Sequence, residues 1–284
     1  MAHSQRRNRR SFGFVTNVAV ALITFVSAFS GQAALADTGQ YQFWSTGQSL
    51  SSSSVYVIVK GPSNPSGSAG QTLVNYEQSF ILNATEASYA RSQGWLAHTC
   101  SGAEIHPLNG SGTLLDAANA GAVDWRSSSV AAETNAKNRQ GTFLDTLRPI
   151  FPTSFYDGVP CDIEQDHSVG EAAWRVGSID LVTEVRSKTG GKMIIANGSG
   201  MQSGKSYSAN QAAVDDFLAL ARPEGVQIEQ FGRKRNLTLD ADFMRSLGAR
   251  GIIAFAKCDG TKANCRTAFN NGLNGSAYMT IPLV

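Results

Sequence analysis

Charge is scarce in this chain of 284 residues. Asp, Glu, Lys and Arg make up only 16% of it, and histidine occurs four times. With 42% apolar residues, that balance belongs to a folded globular protein and excludes a disordered one. Cysteine is sparse too, and four in a chain this long cannot stand in for a hydrophobic core. No apolar run reaches the roughly twenty residues a membrane helix needs. GxGxxG, P-loop and GxSxG motifs are all missing, as are the CxxC and HxxxH spacings of zinc sites. No cofactor and no metal are therefore expected. No internal repeat is evident.

What is present begins with a targeting pattern. Arg6, Arg7, Arg9 and Arg10 precede an apolar run of about twelve residues, Val18 to Phe29, and Ala34-Leu35-Ala36 supplies a small-x-small cleavage site. This predicts a signal peptide over 1–36 and a mature domain over 37–284. Arg9-Arg10-Ser11-Phe12 resembles a twin-arginine signal, with the general secretory route as the alternative. Removing residues 1–36 takes away four arginines and no acid, turning the formal +2 into −2. The basic pI near 8.3 thus belongs mostly to the targeting segment. Nucleic acid and membrane are not expected partners. The expected product is a soluble monomer, secreted or periplasmic. For an exported protein an even cysteine count favours disulfides. Cys258 and Cys265 can close a short loop, which leaves Cys100 with Cys161; free buried thiols or a metal site are the alternatives.

Short β-rich runs alternate with helical patterns. The predicted strands are Tyr41–Trp44, Val55–Val59, Ser79–Leu82, Trp95–His98 and Gly158–Asp162, then Lys192–Ala196, Val226–Gln230, Gly251–Phe255 and Tyr278–Ile281. Helices are predicted over Thr85–Arg91, Glu171–Lys188, Asn210–Ala221 and Leu239–Leu247. Alternation of this kind implies an α/β fold with a parallel sheet. About eight strands in roughly 250 residues suit a single (β/α)8 TIM barrel, irregular in its N-terminal strands.

Against so little charge, one acidic cluster stands out: Asp157, Asp162, Glu164 and Asp166 within ten residues. Side chains two apart on a strand share a face. Asp162 and Glu164 are therefore expected together at the C-terminal mouth, where barrel enzymes place their chemistry. Crowded carboxyls cannot all ionise cheaply, and a raised pKa makes a general acid. A solvated acidic loop, or a cation site of Asp162, Glu164 and Asp166, is the alternative. Glu229 is the second candidate, because a carboxylate near the end of an apolar strand is costly unless partnered or used.

The order of Trp95-Leu-Ala-His-Thr-Cys-Ser-Gly102, Leu114-Leu-Asp-Ala-Ala-Asn119, Asp157-Gly-Val-Pro-Cys-Asp162, Ile194-Ile-Ala-Asn-Gly198 and Val226-Gln-Ile-Glu229 resembles glycoside-hydrolase-like family 15. That family is related to the endo-polygalactosaminidase barrels. The resemblance covers about residues 95–256 and implies Asp162 and Glu229 as the catalytic carboxylates. Asp157–Glu164 is also similar to the DGxDxDxE strand of family-18 chitinases, with Pro160 replacing one Asp; there Glu164 becomes the alternative donor. Trp44 as a sugar platform, with His98, Asp157, Asn197 and Lys257, completes the expected substrate contacts; core packing for Trp44, a structural role for His98 and turn chemistry for Asn197 are the alternatives. The function so implied is hydrolysis of a glycosidic bond in a poly- or oligosaccharide, with Glu229 as acid and Asp162 as nucleophile or base. A non-catalytic glycan-binding barrel and a metal-dependent phosphodiester hydrolase are the competing classes.

Overall fold

The computed structural model describes residues 38–43, 55–60 and 72–280. The signal-like segment and Trp44 lie outside the described residues. In chain order the strands are β1 (Thr38–Phe43), β2 (Val55–Lys60), β3 (Thr72–Gln78), β4 (Ile81–Leu82), β5 (Thr113–Leu114), β6 (Gly141–Leu147), β7 (Met193–Gly198), β8 (Gly225–Phe231), β9 (Ile253–Cys258) and β10 (Ala277–Thr280). The helices are α1 (Ala84–Gln93), α2 (Ala120–Ala136), α3 (Cys161–Gln165), α4 (His167–Lys188), α5 (Gly204–Ala209), α6 (Gln211–Ala221), α7 (Leu237–Ala249) and α8 (Lys262–Gly272).

The protein is a mixed α/β structure built on a parallel sheet. Eight strands pair in the order β1-β10-β9-β8-β7-β6-β3-β2, and β1 also pairs β2, so the pairings return to their start. Every pairing in that series is parallel. Parallel neighbours need a crossover between them. Helices provide it: α3 and α4 after β6, α5 and α6 after β7, α7 after β8 and α8 after β9. β4 and β5 form a separate antiparallel pair.

Alternation along each strand divides its side chains between two cores. Val74, Phe143, Ile195, Phe255 and Tyr278 are buried together on the inner face, with Tyr76, Met193 and Ile253 packed on them. The opposite parity, including Leu144, Ile194, Ala196, Val226 and Ala254, joins the larger core with Trp174, Leu181, Phe217 and Leu247 of the helices. Burial on both faces explains why β7 and β9 read as nearly continuous apolar runs.

Several expected elements differ. Gly158–Asp162 is not a strand: it is a loop running into α3, with Asp162 in that helix's first turn. Pro160 there has no backbone N–H to give a ladder, which disfavours a central strand. Ser79–Leu82 contributes only β4, outside the parallel series, and Trp95–His98 forms only single bridges, Leu96 to Leu115 and His98 to Glu104. The strands in fact used are β3 and β6. Both disulfides form as expected, Cys100–Cys161 and Cys258–Cys265.

Candidate active site

Above the apolar filling, the inward parity continues to the C-terminal ends of the strands. Two residues past Phe143 comes Asp145, past Ile195 comes Asn197, past Gln227 comes Glu229, and past Phe255 comes Lys257. Tyr76 and Gln78 extend the same row on β3. A polar ring therefore caps an apolar interior.

Two of these positions interrupt their strands. Leu144 pairs with Ala196 and Leu147 with Gly198, so β6 carries one more residue than β7 across the interval holding Asp145. Ile228 pairs with Ala256 and Phe231 with Cys258, so β8 carries one extra residue across the interval holding Glu229. Such bulges re-aim side chains and are common beside active sites. Thr146, next to Asp145, has φ 56°, a left-handed conformation uncommon for a β-branched residue. Backbone strain of this kind is held only where surrounding contacts fix it.

Those contacts are present. Thr146 N–H donates to Asp145 Oδ1 at 2.7 Å, and Asn197 Nδ2 donates to the same oxygen at 2.9 Å. The Tyr76 hydroxyl donates to Asp145 Oδ2. Gln78 Nε2 donates to Tyr76 Oη at 2.7 Å and accepts on Oε1 from Thr146 Oγ1 at 2.8 Å, which closes a ring of bonds around the carboxylate. Burial pushes the Asp145 carboxyl above its ordinary range, and the Glu229 charge adds to this; Tyr76, Thr146 N–H and Arg148 pull the other way without cancelling it. The Tyr76 hydroxyl is driven well above its usual value by burial and then by Asp145, so it stays a donor.

Glu229 is half-buried, and Lys257 Nζ donates to its Oε1 at 2.9 Å. Arg148 is buried beside β6. Its guanidinium lies 4.9 Å from the Phe155 ring centre and 5.2 Å from that of Tyr156, and its Nε donates to Tyr156 Oη at 2.8 Å. Asn197 Oδ1 is buried with no hydrogen-bond partner among the described residues. Among those residues, no three His, Cys, Asp or Glu side chains converge as a metal would require.

The sequence-predicted residues therefore separate. Glu229, Lys257 and Asn197 lie in the polar ring. The acids of 157–166 serve other positions: Asp166 caps α4 through Ser168 and Val169 N–H, and Asp157 accepts from His106 N–H at 2.7 Å. Glu164 accepts from Cys100 N–H at 3.4 Å. Asp162 is felt electrostatically by Asp116, which His98 also influences. Asp116 is pushed up to about 6, chiefly by burial and further by Asp162, against the Ala118 N–H and His98. Sequence reasoning missed Asp145, Tyr76 and Arg148. The available signal was slight: a lone Asp after the apolar pair Phe143-Leu144.

No family model matches this chain, and no curated protein matches it. Among solved structures it is similar to a cycloalternan-degrading enzyme from Trueperella pyogenes, with 11% identity and a TM-score of 0.50 over 81% of this chain. It is also similar to an alpha-galactosidase from Lactobacillus brevis (10%, 0.48, 80% of this chain) and a cycloisomaltooligosaccharide glucanotransferase from Paenibacillus sp. (12%, 0.47, 66%). The fold is similar to that of the cycloalternan-degrading enzyme. The chain spans only 39%, 33% and 26% of those three proteins respectively, and at such identities the likeness is one of fold alone.

Proposed function

We propose that this protein is an exported glycoside hydrolase on a (β/α)8 barrel, irregular in its N-terminal strands, with Asp145 and Glu229 as its catalytic carboxylates. Residues 1–36 act as the cleaved signal and 37–284 as the working monomer. Two disulfides suit the oxidising side of a membrane. The observation that carries the reading is the pair of inward acids on β6 and β8, each at a bulge. Neighbouring strands lie about 4.8 Å apart, so β6 and β8 flank β7 at a spacing into which a sugar's anomeric centre fits. The family resemblance supplies Glu229; Asp145 takes the role first expected of Asp162.

In this mechanism Glu229, reachable by solvent, protonates the leaving oxygen once the substrate draws Lys257 off its carboxylate. Asp145, held as an acceptor by three donors, attacks the anomeric carbon or activates the water that does, according to the carboxyl separation. Asn197 and Lys257 hold the two acids and contact sugar hydroxyls. Removing either carboxylate is expected to cut kcat by about 10³-fold. The test is a screen of polysaccharides by reducing-end release, repeated with Asp145→Asn and Glu229→Gln. Full activity in both variants would refute the pair. Glycan binding without product release would favour the non-catalytic barrel.

A further inference from the structure

One residue beyond Glu229, a cleft of about 520 Å3 opens between the β7–α5 and β8–α7 connections. Gln230 and Asn236 line it, and so do Lys205, Arg233, Lys234 and Arg235, with no acidic and no aromatic side chain. Arg233 is ion-paired with Asp259. The other three cations are exposed and have no ion pair among the described residues. Beyond residue 36 the chain holds more acids than bases, so four cations lining one cleft are a local excess. Like charges repel across such a space, and a bound anion relieves them.

The frame behind these cations is fixed. The buried carboxylate of Asp240 accepts from Gly204 N–H at 2.7 Å and Gly232 N–H at 2.9 Å, tying one wall to the other. Gln230 N–H donates to Gln202 O at 2.7 Å across the same gap. A charged site on a fixed frame binds with less ordering cost than one on loose loops.

We infer that this cleft is an anion-binding subsite of the mouth, and that the substrate is an acidic polysaccharide whose carboxylate or sulfate groups it holds. The inference rests on the hydrolytic reading of Asp145 and Glu229 for its placement beside the cleaved bond. Its binding chemistry rests on the cations alone. A nucleic acid fits less well, because single strands are gripped through aromatic stacking and the cleft has no aromatic side chain.

Calorimetric titration of the Asp145→Asn protein tests this without turnover. The probes are polygalacturonate, dextran sulfate, uncharged dextran and oligothymidylate. One of the two acidic glycans is expected to bind at least about tenfold more tightly than dextran, and to weaken as salt rises; the tighter of the two identifies carboxylate or sulfate. K205Q/K234Q/R235Q is expected to lose about tenfold in that affinity, whereas the charge-conserving K205R/K234R/R235K keeps it, which separates charge from folding. Equal binding of dextran, an unaffected K205Q/K234Q/R235Q variant, or tightest binding of oligothymidylate would overturn the inference. Charge-dependent binding of a glycan that the wild-type protein never cleaves would instead leave the cleft standing and remove the hydrolytic reading.

Discussion

Asp145 is the residue on which burial and hydrogen bonding compete most openly. Its carboxyl sits above its ordinary range because burial and the Glu229 charge outweigh Tyr76, Thr146 and Arg148. Because the ionised form does the work in the proposed mechanism, activity is present above that raised pKa and fades as pH falls through it. Tyr76→Phe removes a donor to the ionised form, so the acid limb of kcat/KM is expected to move to higher pH. Glu229→Gln removes a negative charge, so the same limb, read from residual activity, should move lower. Asp116 offers a check on stability. With a folded pKa of about 6 against about 4 unfolded, it favours the fold at low pH. That contribution is lost as pH rises through about 6. Asp116→Asn is expected to raise the melting temperature at pH 7 and to flatten its decline between about pH 4 and 6. Little of this was legible beforehand: Glu229, Lys257 and Asn197 stand out in sequence, but Asp145 is a single acid whose meaning comes from Tyr76, a distant residue on another strand.

At the level of elements, the sequence reveals strands whose two faces are both apolar and conceals those carrying the site. β7 and β9 are legible from composition. β3 (Thr-Leu-Val-Asn-Tyr-Glu-Gln) and β6 (Gly-Thr-Phe-Leu-Asp-Thr-Leu) are not, because polar residues at their C-terminal ends mask the alternation. Conversely, the acidic run 157–166 imitates a strand end, while Pro160 and the cap at Asp166 mark it as loop and helix starts. Close approach also fixes the site: a Cβ on Gly198 would lie 2.2 Å from the Leu147 carbonyl oxygen. Gly198→Ala should therefore push β7 from β6, lower the melting temperature and disturb the Asn197–Asp145 bond. The disulfides act on loops of different size, with separations of 7 and 61 residues. Chain entropy gives about 2–3 kcal/mol for Cys258–Cys265 and about 4 kcal/mol for Cys100–Cys161. Denaturant titration of the paired Cys→Ser variants should show the larger loss at Cys100–Cys161. The Cys258–Cys265 pair should cost relatively more activity, since it ends the strand that carries Lys257.

Among the described residues, a series of parallel strands covers an apolar core and carries polar, acid-bearing C-terminal ends. Four arginines sit in the segment read as a signal, and a net negative charge follows them, so the basic cleft beside Glu229 is a local feature that overall pI obscures. The scarcity of charge makes position decisive: with so few acids, it matters which of them face inward from a bulged strand and which cap a helix. The most direct test is a comparison of kcat/KM for Asp145→Asn and Asp162→Asn on the first glycan the protein is found to cleave. A loss of about 10³-fold at Asp145 and less than about tenfold at Asp162 is expected if the inward pair on β6 and β8 performs the chemistry. The reverse order would contradict it and return the active site to the acidic loop.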